Sequence, residues 1–157
     1  MNIYDLLKEQ AVNDNIFSLV VGGVVIKNNK VLLLKRSDDR FMQNFYEFPS
    51  GKLEFGETIE ECLYRHINEE LNVNVKTIKN YIGFFDYLSK NGKSVRQYNF
   101  EIELCDEDKI SLSNEHSDMK YFNINDCSQL IDISDEVYYT ISMTISNKVL
   151  GGKIYEH

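Results

Sequence analysis

The chain has 157 residues, 43% apolar and 12% aromatic, with one proline and eight glycines; this is one domain's worth of chain with material for a packed core, and it excludes a disordered composition. The net charge of −8 repels a polyphosphate backbone and argues against a nucleic-acid polymer as partner, although a bound cation can reverse the field locally for a small phosphorylated ligand. No run of 18 apolar residues and no basic start with an apolar stretch is present, and the three cysteines, Cys62, Cys105 and Cys127, are widely spaced; the expectation is a chain that neither spans a membrane nor carries a secretory leader, disulfide framework or zinc knuckle, with its cysteines buried as small hydrophobes in a reducing cytoplasm.

Met1 to Asn15 reads as a short helix with Tyr4, Leu6, Leu7 and Val12 as apolar positions. It is an N-terminal addition packed on the domain, and it offers a surface for a homodimer contact. Phe17 to Ile26 and Val31 to Leu34 are apolar and β-branched runs around Asn28-Asn29, the pattern of a hairpin. Asp38 to Tyr46 is a polar and aromatic loop, and Glu47-Phe48-Pro49-Ser50-Gly51 punctuates the chain before a helix. That helix runs from Thr58 to Leu71: Thr58 as N-cap and Glu61 complete a capping box, and Ile59, Leu63, Ile67 and Leu71 supply a buried stripe. Val73 to Leu88 is strand-rich, Asn91-Gly92 signals a hairpin turn, and Tyr98, Phe100, Ile102 and Leu104 alternate with polar residues as in a half-buried strand. Asp106 to Met119 reads as an acidic loop, Tyr121 to Ile124 as a short strand and Asp126 to Leu130 as a turn of helix. Ser134 caps a last helix, with Val137, Ile141 and Ile145 on one face and Gly151-Gly152 at its end. Strands and helices mixed in this order, with no repeat or linker, predict one α/β domain over residues 1–157: a mixed β-sheet with helices on both faces, an α/β/α sandwich.

At about 100° per residue, His66, Glu69 and Glu70 stand at i, i+3 and i+4 and share one side of the central helix, beside its buried stripe. Adjacent carboxylates repel, so the edge gains from a cation between them, and hard oxygen donors favour magnesium or manganese over zinc. Gly51 and Gly56 in the preceding loop allow tight bends and close approach of a ligand. By residue type alone the same stretch also reads as an ordinary amphipathic helix with a solvated acidic edge.

The spacing adds a further reading. Gly51, Glu57, Arg65, Ile67, Glu69, Glu70 and Val73 match the box G-x5-E-x7-R-E-U-x-E-E-x-G-U, with U a bulky aliphatic residue. The chain therefore resembles the Nudix hydrolase family. Two fixed positions depart, His66 for Glu and Asn72 for Gly. The flanks are similar too: Val21-Gly22-Gly23-Val24-Val25 with Leu32 to Arg36, Tyr46 to Leu53 (Ser50 standing for the usual Gly), and Glu115-His116-Ser117-Asp118 before Tyr121-Phe122. The likeness covers Ser18 to Leu130 and leaves the first helix outside it.

The resemblance implies hydrolysis of a pyrophosphate bond in a nucleoside diphosphate-linked small molecule, with Mg²⁺, or Mn²⁺, as cofactor. It implies Glu69 and Glu70 as metal ligands, with the backbone of Gly51 shaping the metal site. Arg65 would orient a carboxylate, reaching Glu69 at i+4 and facing Glu61, and Glu57 would fix the loop onto the helix. At His66 three readings compete: the imidazole is the general base; a carboxylate elsewhere does that work, Glu115 first and Glu101 or Glu103 second; or catalysis is impaired. The last makes the alternative function, a nucleotide-binding or sensor module that does not turn over; a DNA-binding regulator is disfavoured by the charge. Asn72 ends the helix in a left-handed conformation that asparagine tolerates, at a modest cost. Arg36 and Lys52, with Lys35 and Arg40, are candidates for phosphate contacts, and Tyr46, Phe41 and Phe45 for stacking on a base. His116 and His157 carry no motif.

Overall fold

Two apolar runs organise the molecule. In the computed structural model, which describes residues 2–37, 44–129 and 132–149, they form β1 (Ser18–Lys27) and β2 (Lys30–Arg36). The strands are antiparallel and joined by Asn28-Asn29, whose φ angles of 52° and 63° are both left-handed, the geometry that matches the strands' twist. β1 is the hub. Its first half pairs antiparallel with β4 (Ser50–Lys52), Val21 opposite Gly51. Its other edge runs parallel to β6 (Ser94–Leu104), Val20 opposite Gln97. β2 pairs outward with β3 (Tyr46–Glu47) and β7 (His116–Asn123), and β5 (Val75–Leu88) pairs antiparallel with β6. Among the described residues this makes a seven-stranded mixed sheet.

Strand residues alternate between two cores, because successive side chains point to opposite faces. On one face Val21, Val25, Leu32 and Leu34 pack with Tyr98, Phe100 and Ile102 against α2 (Ile59–Leu71), whose Ile59, Leu63, Ile67 and Leu71 are fully buried. On the other, Val24, Val31, Leu33, Phe48 and Ile82 pack with Val137 and Ile141 of α3 (Asp135–Val149). The expected α/β/α sandwich is the one observed. β1 and β2 read as continuous apolar runs because they are covered twice. At Gly23 a Cβ would fall 2.6 Å from Ile102 Cδ1, so its missing side chain makes room for a neighbour's.

Four expectations are corrected. β6 is half-buried only toward its end, where Glu101 and Glu103 alternate with buried Phe100, Ile102 and Leu104; earlier in the strand Arg96, Gln97 and Asn99 are buried too, at 4%, 7% and 0% exposure, because it lies there between β1 and β5. In α1 (Ile3–Asn13) the buried residues are Leu7 and Ala11 with Tyr4 packed beside them, whereas Leu6 and Val12 are exposed. A helix lying against one surface buries a single stripe, and these two fall off it. The strand expected at Tyr121 begins at His116, since β2 supplies a pairing edge that no local signal announces. Cys105 is only partly buried, whereas Cys62 is fully buried, its thiol pushed up to about 12 by burial and the nearby Glu57 charge. Asp38 to Gln43, Arg40 and Phe41 among them, Leu130, Gly151-Gly152, His157 and the Cys127 side chain lie outside the described residues. Among those described, no helix is long and apolar enough to cross a membrane.

Candidate functional site

The site forms where β4 hands over to α2. Thr58 ends the loop in an extended conformation; its hydroxyl accepts from Glu61 N at 3.1 Å while Glu61 Oε1 accepts from Thr58 N at 3.0 Å, so the capping box is complete. Just upstream, Glu57 Oε1 accepts from Glu54 N at 3.0 Å and closes the loop on itself. Both Glu57 oxygens also accept from Arg65, at 2.7 and 2.8 Å. These bonds from Arg65 hold the Glu57 carboxyl down at about 2. Arg65 additionally reaches Lys52 O at 3.2 Å, Glu54 at 3.5 Å and Glu69 at 3.6 Å. The expected pairing with Glu61 is not made, because the capping box has claimed that carboxylate.

One turn along the helix, the His66 ring lies against the backbone of Gly51. A Cβ at Gly51 would fall 1.9 Å from the ring, so close approach of the two requires glycine there. His66 Nε2 stands 3.0 Å from Lys52 O; a carbonyl only accepts, so Nε2 carries the hydrogen and donates. Nδ1 faces Glu69 Oε2 at 3.7 Å. The Gly51 carbonyl accepts a weak bond from the Cys62 thiol at 3.6 Å.

Glu69 and Glu70 behave differently despite being adjacent. The Glu69 side chain is 56% exposed, that of Glu70 only 5%. Glu70 Oε1 accepts from Ser50 N at 3.3 Å and lies 4.0 Å from His116 Nδ1. Behind it, His116 Nε2 donates to Glu47 Oε2 at 2.7 Å, and Arg36 binds the same carboxylate. Burial raises the Glu47 carboxyl, but the His116 hydrogen bond and the Arg36 charge outweigh it and leave it below the usual range.

Two cavities meet at Ser50. A groove of about 460 Å³ is lined by Gly51, Lys52, His66, Glu69, Glu70 and Glu115 with the Ser113–Asn114 turn. A second cavity of about 430 Å³ is walled by Phe45, Tyr46, Phe85 and Tyr87, with Arg36 and Glu47 at its rim. The structure thus brings Gly51, Lys52, His66, Glu69, Glu70 and Glu115 to one groove and places Arg36 and Tyr46 in its neighbour. Glu57 and Arg65 form a clamp that joins loop to helix. Glu101 and Glu103 line neither cavity; they pair with Lys79 at 3.5 Å and Lys76 at 4.0 Å on the β5–β6 surface.

The donor set around the groove, two helix carboxylates and a third on the exposed Glu115, is hard oxygen and suits Mg²⁺ or Mn²⁺. As the side chains stand, no three ligating groups among the described residues converge. Glu69 and Glu115 are exposed at the edge of the groove. The residues that sequence reasoning missed are Glu47 and His116, 69 positions apart. No spacing rule links them, and each was marked only as part of a flanking segment that resembles the family.

A family model described as the NUDIX domain matches residues 17–141. The 8-oxo-dGTP diphosphatase of Escherichia coli is 38% identical over 55 residues, 35% of this chain and 43% of that protein. The ADP-ribose pyrophosphatase of Methanocaldococcus jannaschii is 35% identical over 68 residues, 43% of this chain and 39% of that protein. The chain thus spans less than half the length of these relatives. In three dimensions the E. coli ORF135 protein superposes with a TM-score of 0.73 at 16% identity, over 87% of this chain and 94% of that one, a likeness of fold.

Proposed function

The chain belongs to the Nudix family, and from that premise we propose that it hydrolyses a pyrophosphate bond in a nucleoside diphosphate-linked small molecule, with Mg²⁺ or Mn²⁺ as cofactor. The observation that carries the proposal is the junction at Ser50 of a carboxylate-lined groove with an aromatic cavity. Such a pair fits a ligand with a charged diphosphate at one end and a flat base at the other. Aromatic walls at Phe45, Tyr46, Phe85 and Tyr87 would take the base by stacking.

Glu69 and Glu70 would hold the divalent cation, with Glu115 closing from the β7 side and Lys52 meeting a phosphate oxygen. A bound cation neutralises the diphosphate and stabilises charge developing on the leaving oxygen. Glu70, buried and fixed by Ser50 N, contributes a pre-set oxygen; Glu69 contributes a mobile one. Glu115, exposed at the groove's edge, is the candidate for taking a proton from the attacking water. His66 serves as a strut: Nε2–H is engaged by Lys52 O and the ring packs on Gly51, so it locks the loop to the helix. Arg65 and Glu57 do the same from the other side.

The test is phosphate and pyrophosphate release from nucleoside triphosphates, nucleotide sugars, dinucleotide polyphosphates and oxidised nucleotides, with Mg²⁺ or Mn²⁺ on the order of millimolar. Turnover should vanish with EDTA and drop about 100-fold or more in Glu69→Gln/Glu70→Gln, since loss of a catalytic cation removes several kcal/mol of transition-state stabilisation. Thermal stabilisation by one nucleotide without turnover of any would instead identify a binding module, and would make the histidine at position 66 its cause.

A further inference from the structure

Two amides lie where the sheet otherwise buries apolar side chains. Tyr98, Phe100 and Ile102 of β6 face α2, so Gln97 and Asn99 point the other way, to the face where Val24, Phe48 and Ile82 meet α3. Both are buried. Gln97 Nε2 donates to Asn99 Oδ1 at 2.8 Å, and Asn99 Nδ2 is buried with no hydrogen-bond partner among the described residues. Buried polar groups are costly when unpaired, and apolar residues would fill the same layer without that cost. The neighbouring strand makes room for the pair: a Cβ at Gly22 of β1, in register with Asn99, would run into Asn99 Oδ1 and fall 2.6 Å from Gln97 Nε2. Gln97 also lines the aromatic cavity, next to its register partner Phe85 on β5.

We propose that Gln97 reads the base of the ligand by a two-point hydrogen bond, with Asn99 as its positioning residue. The inference rests on the reading of the aromatic cavity as a base site. Stacking on Tyr46 or Phe85 is nearly indifferent to which base is present, since every base has a π-face; discrimination falls to the polar groups of the wall. A primary amide carries two hydrogens and a carbonyl oxygen. Asn99 holds one of the hydrogens of Gln97 and so stops the amide from turning; Oε1 and the second hydrogen make no bond to the described residues. Their complement is a base edge with a donor beside an acceptor, as the N6–H and N7 of adenine present to a glutamine. A ligand with an alkyl chain in place of the base offers neither.

The experiment is calorimetric titration of the full chain, with Mg²⁺ present, by AMP, GMP, CMP and UMP, with ribose 5-phosphate as the control that lacks a base; melting curves report whether each variant folds. The parent should bind its preferred nucleotide about 10-fold or more tightly than the least favoured, the range a two-point contact to a base edge carries. Gln97→Met keeps the length of the side chain without its amide. It should weaken the preferred nucleotide by about 10-fold, bring the four within about twofold of one another and leave ribose 5-phosphate unchanged. Asn99→Ala should narrow the spread in the same way, whereas a merely structural role would weaken every ligand alike. A folded Gln97→Met that keeps the parent's base preference would overturn the proposal and leave the cavity's reading intact, as would a parent that holds all four nucleotides alike but above ribose 5-phosphate. Should Gln97→Met not fold, an unchanged preference in Gly22→Ala, which displaces both amides, would overturn it equally. A parent that binds no nucleotide more tightly than ribose 5-phosphate would overturn the proposal together with the reading of the cavity as a base site, a distinguishable failure.

Discussion

Glu57 and Arg65 meet through two hydrogen bonds, 2.7 and 2.8 Å, and the energy of that meeting depends on pH with a definite sign. The Arg65 hydrogen bonds lower the folded-state Glu57 pKa to about 2, against about 4.3 in an unfolded chain. A lowered carboxyl stabilises the fold above the unfolded value, and that stability is lost as pH falls through the folded one. Urea midpoints in EDTA should therefore fall between about pH 4 and about pH 2, and Glu57→Gln should flatten that part of the curve. An acid slope unchanged in the variant would show that other carboxylates set it. The box spacing marked Glu57 and Arg65 as residues of interest, yet the spacing rule for helices pointed Arg65 only at Glu69, which it reaches at 3.6 Å, and at Glu61, which it does not pair with. It pairs with Glu57 because the loop folds back over the first turn, and a loop's return path has no periodicity to read. His66 is a similar case: its type suggested acid–base chemistry, whereas its contact with Gly51 and its bond to Lys52 O make a packing role visible.

The α2 element carries its own start and stop. Both were legible in the sequence, because a capping box joins residues only three apart and a helix end needs one residue with left-handed φ. Asn72 takes that conformation at φ 57°. What was not legible is that its side-chain amide donates to Ser111 O, tying the helix end to the segment that carries Ser113, Asn114 and Glu115 toward the groove. Asparagine here therefore does more than tolerate a strained backbone. Asn72→Ala should cost about 1–2 kcal/mol, from the left-handed penalty and the lost bond together. Asn72→Gly relieves the first and loses the second, so its stability should stay within about 1 kcal/mol of the parent. Chemical denaturation of the two variants checks this; equal destabilisation by alanine and glycine would show that the bond, rather than the backbone, dominates.

At the scale of the whole molecule, α1 is fastened across the sheet rather than hung from its end. Leu7 O accepts from the Tyr98 hydroxyl at 2.7 Å. Arg96, buried on β6, binds Asp86 through two bonds and reaches Asp14 at 2.7 Å. Leu7 belongs to the core face that α2 also covers, and Ala11 is buried. Deleting residues 1–15 should uncover Leu7's partners, strip the Tyr98 hydroxyl of its acceptor and lower stability by about 2–4 kcal/mol. A truncated chain with an unchanged melting curve would mark α1 as dispensable to the fold. The sequence alone determined the β1–β2 hairpin, α2 with its start and stop, and the box that brings Glu69 and Glu70 to one edge of that helix, because periodicity, caps and turns act over a few residues. Only the tertiary structure decided that Arg96, Gln97 and Asn99 of β6 are buried, that β7 starts at His116 and that Glu47, His116 and Glu70 stand in one line behind the groove. Those facts depend on which strands pair and in what register, and pairing is settled by burial across the whole sheet rather than by any neighbour along the chain.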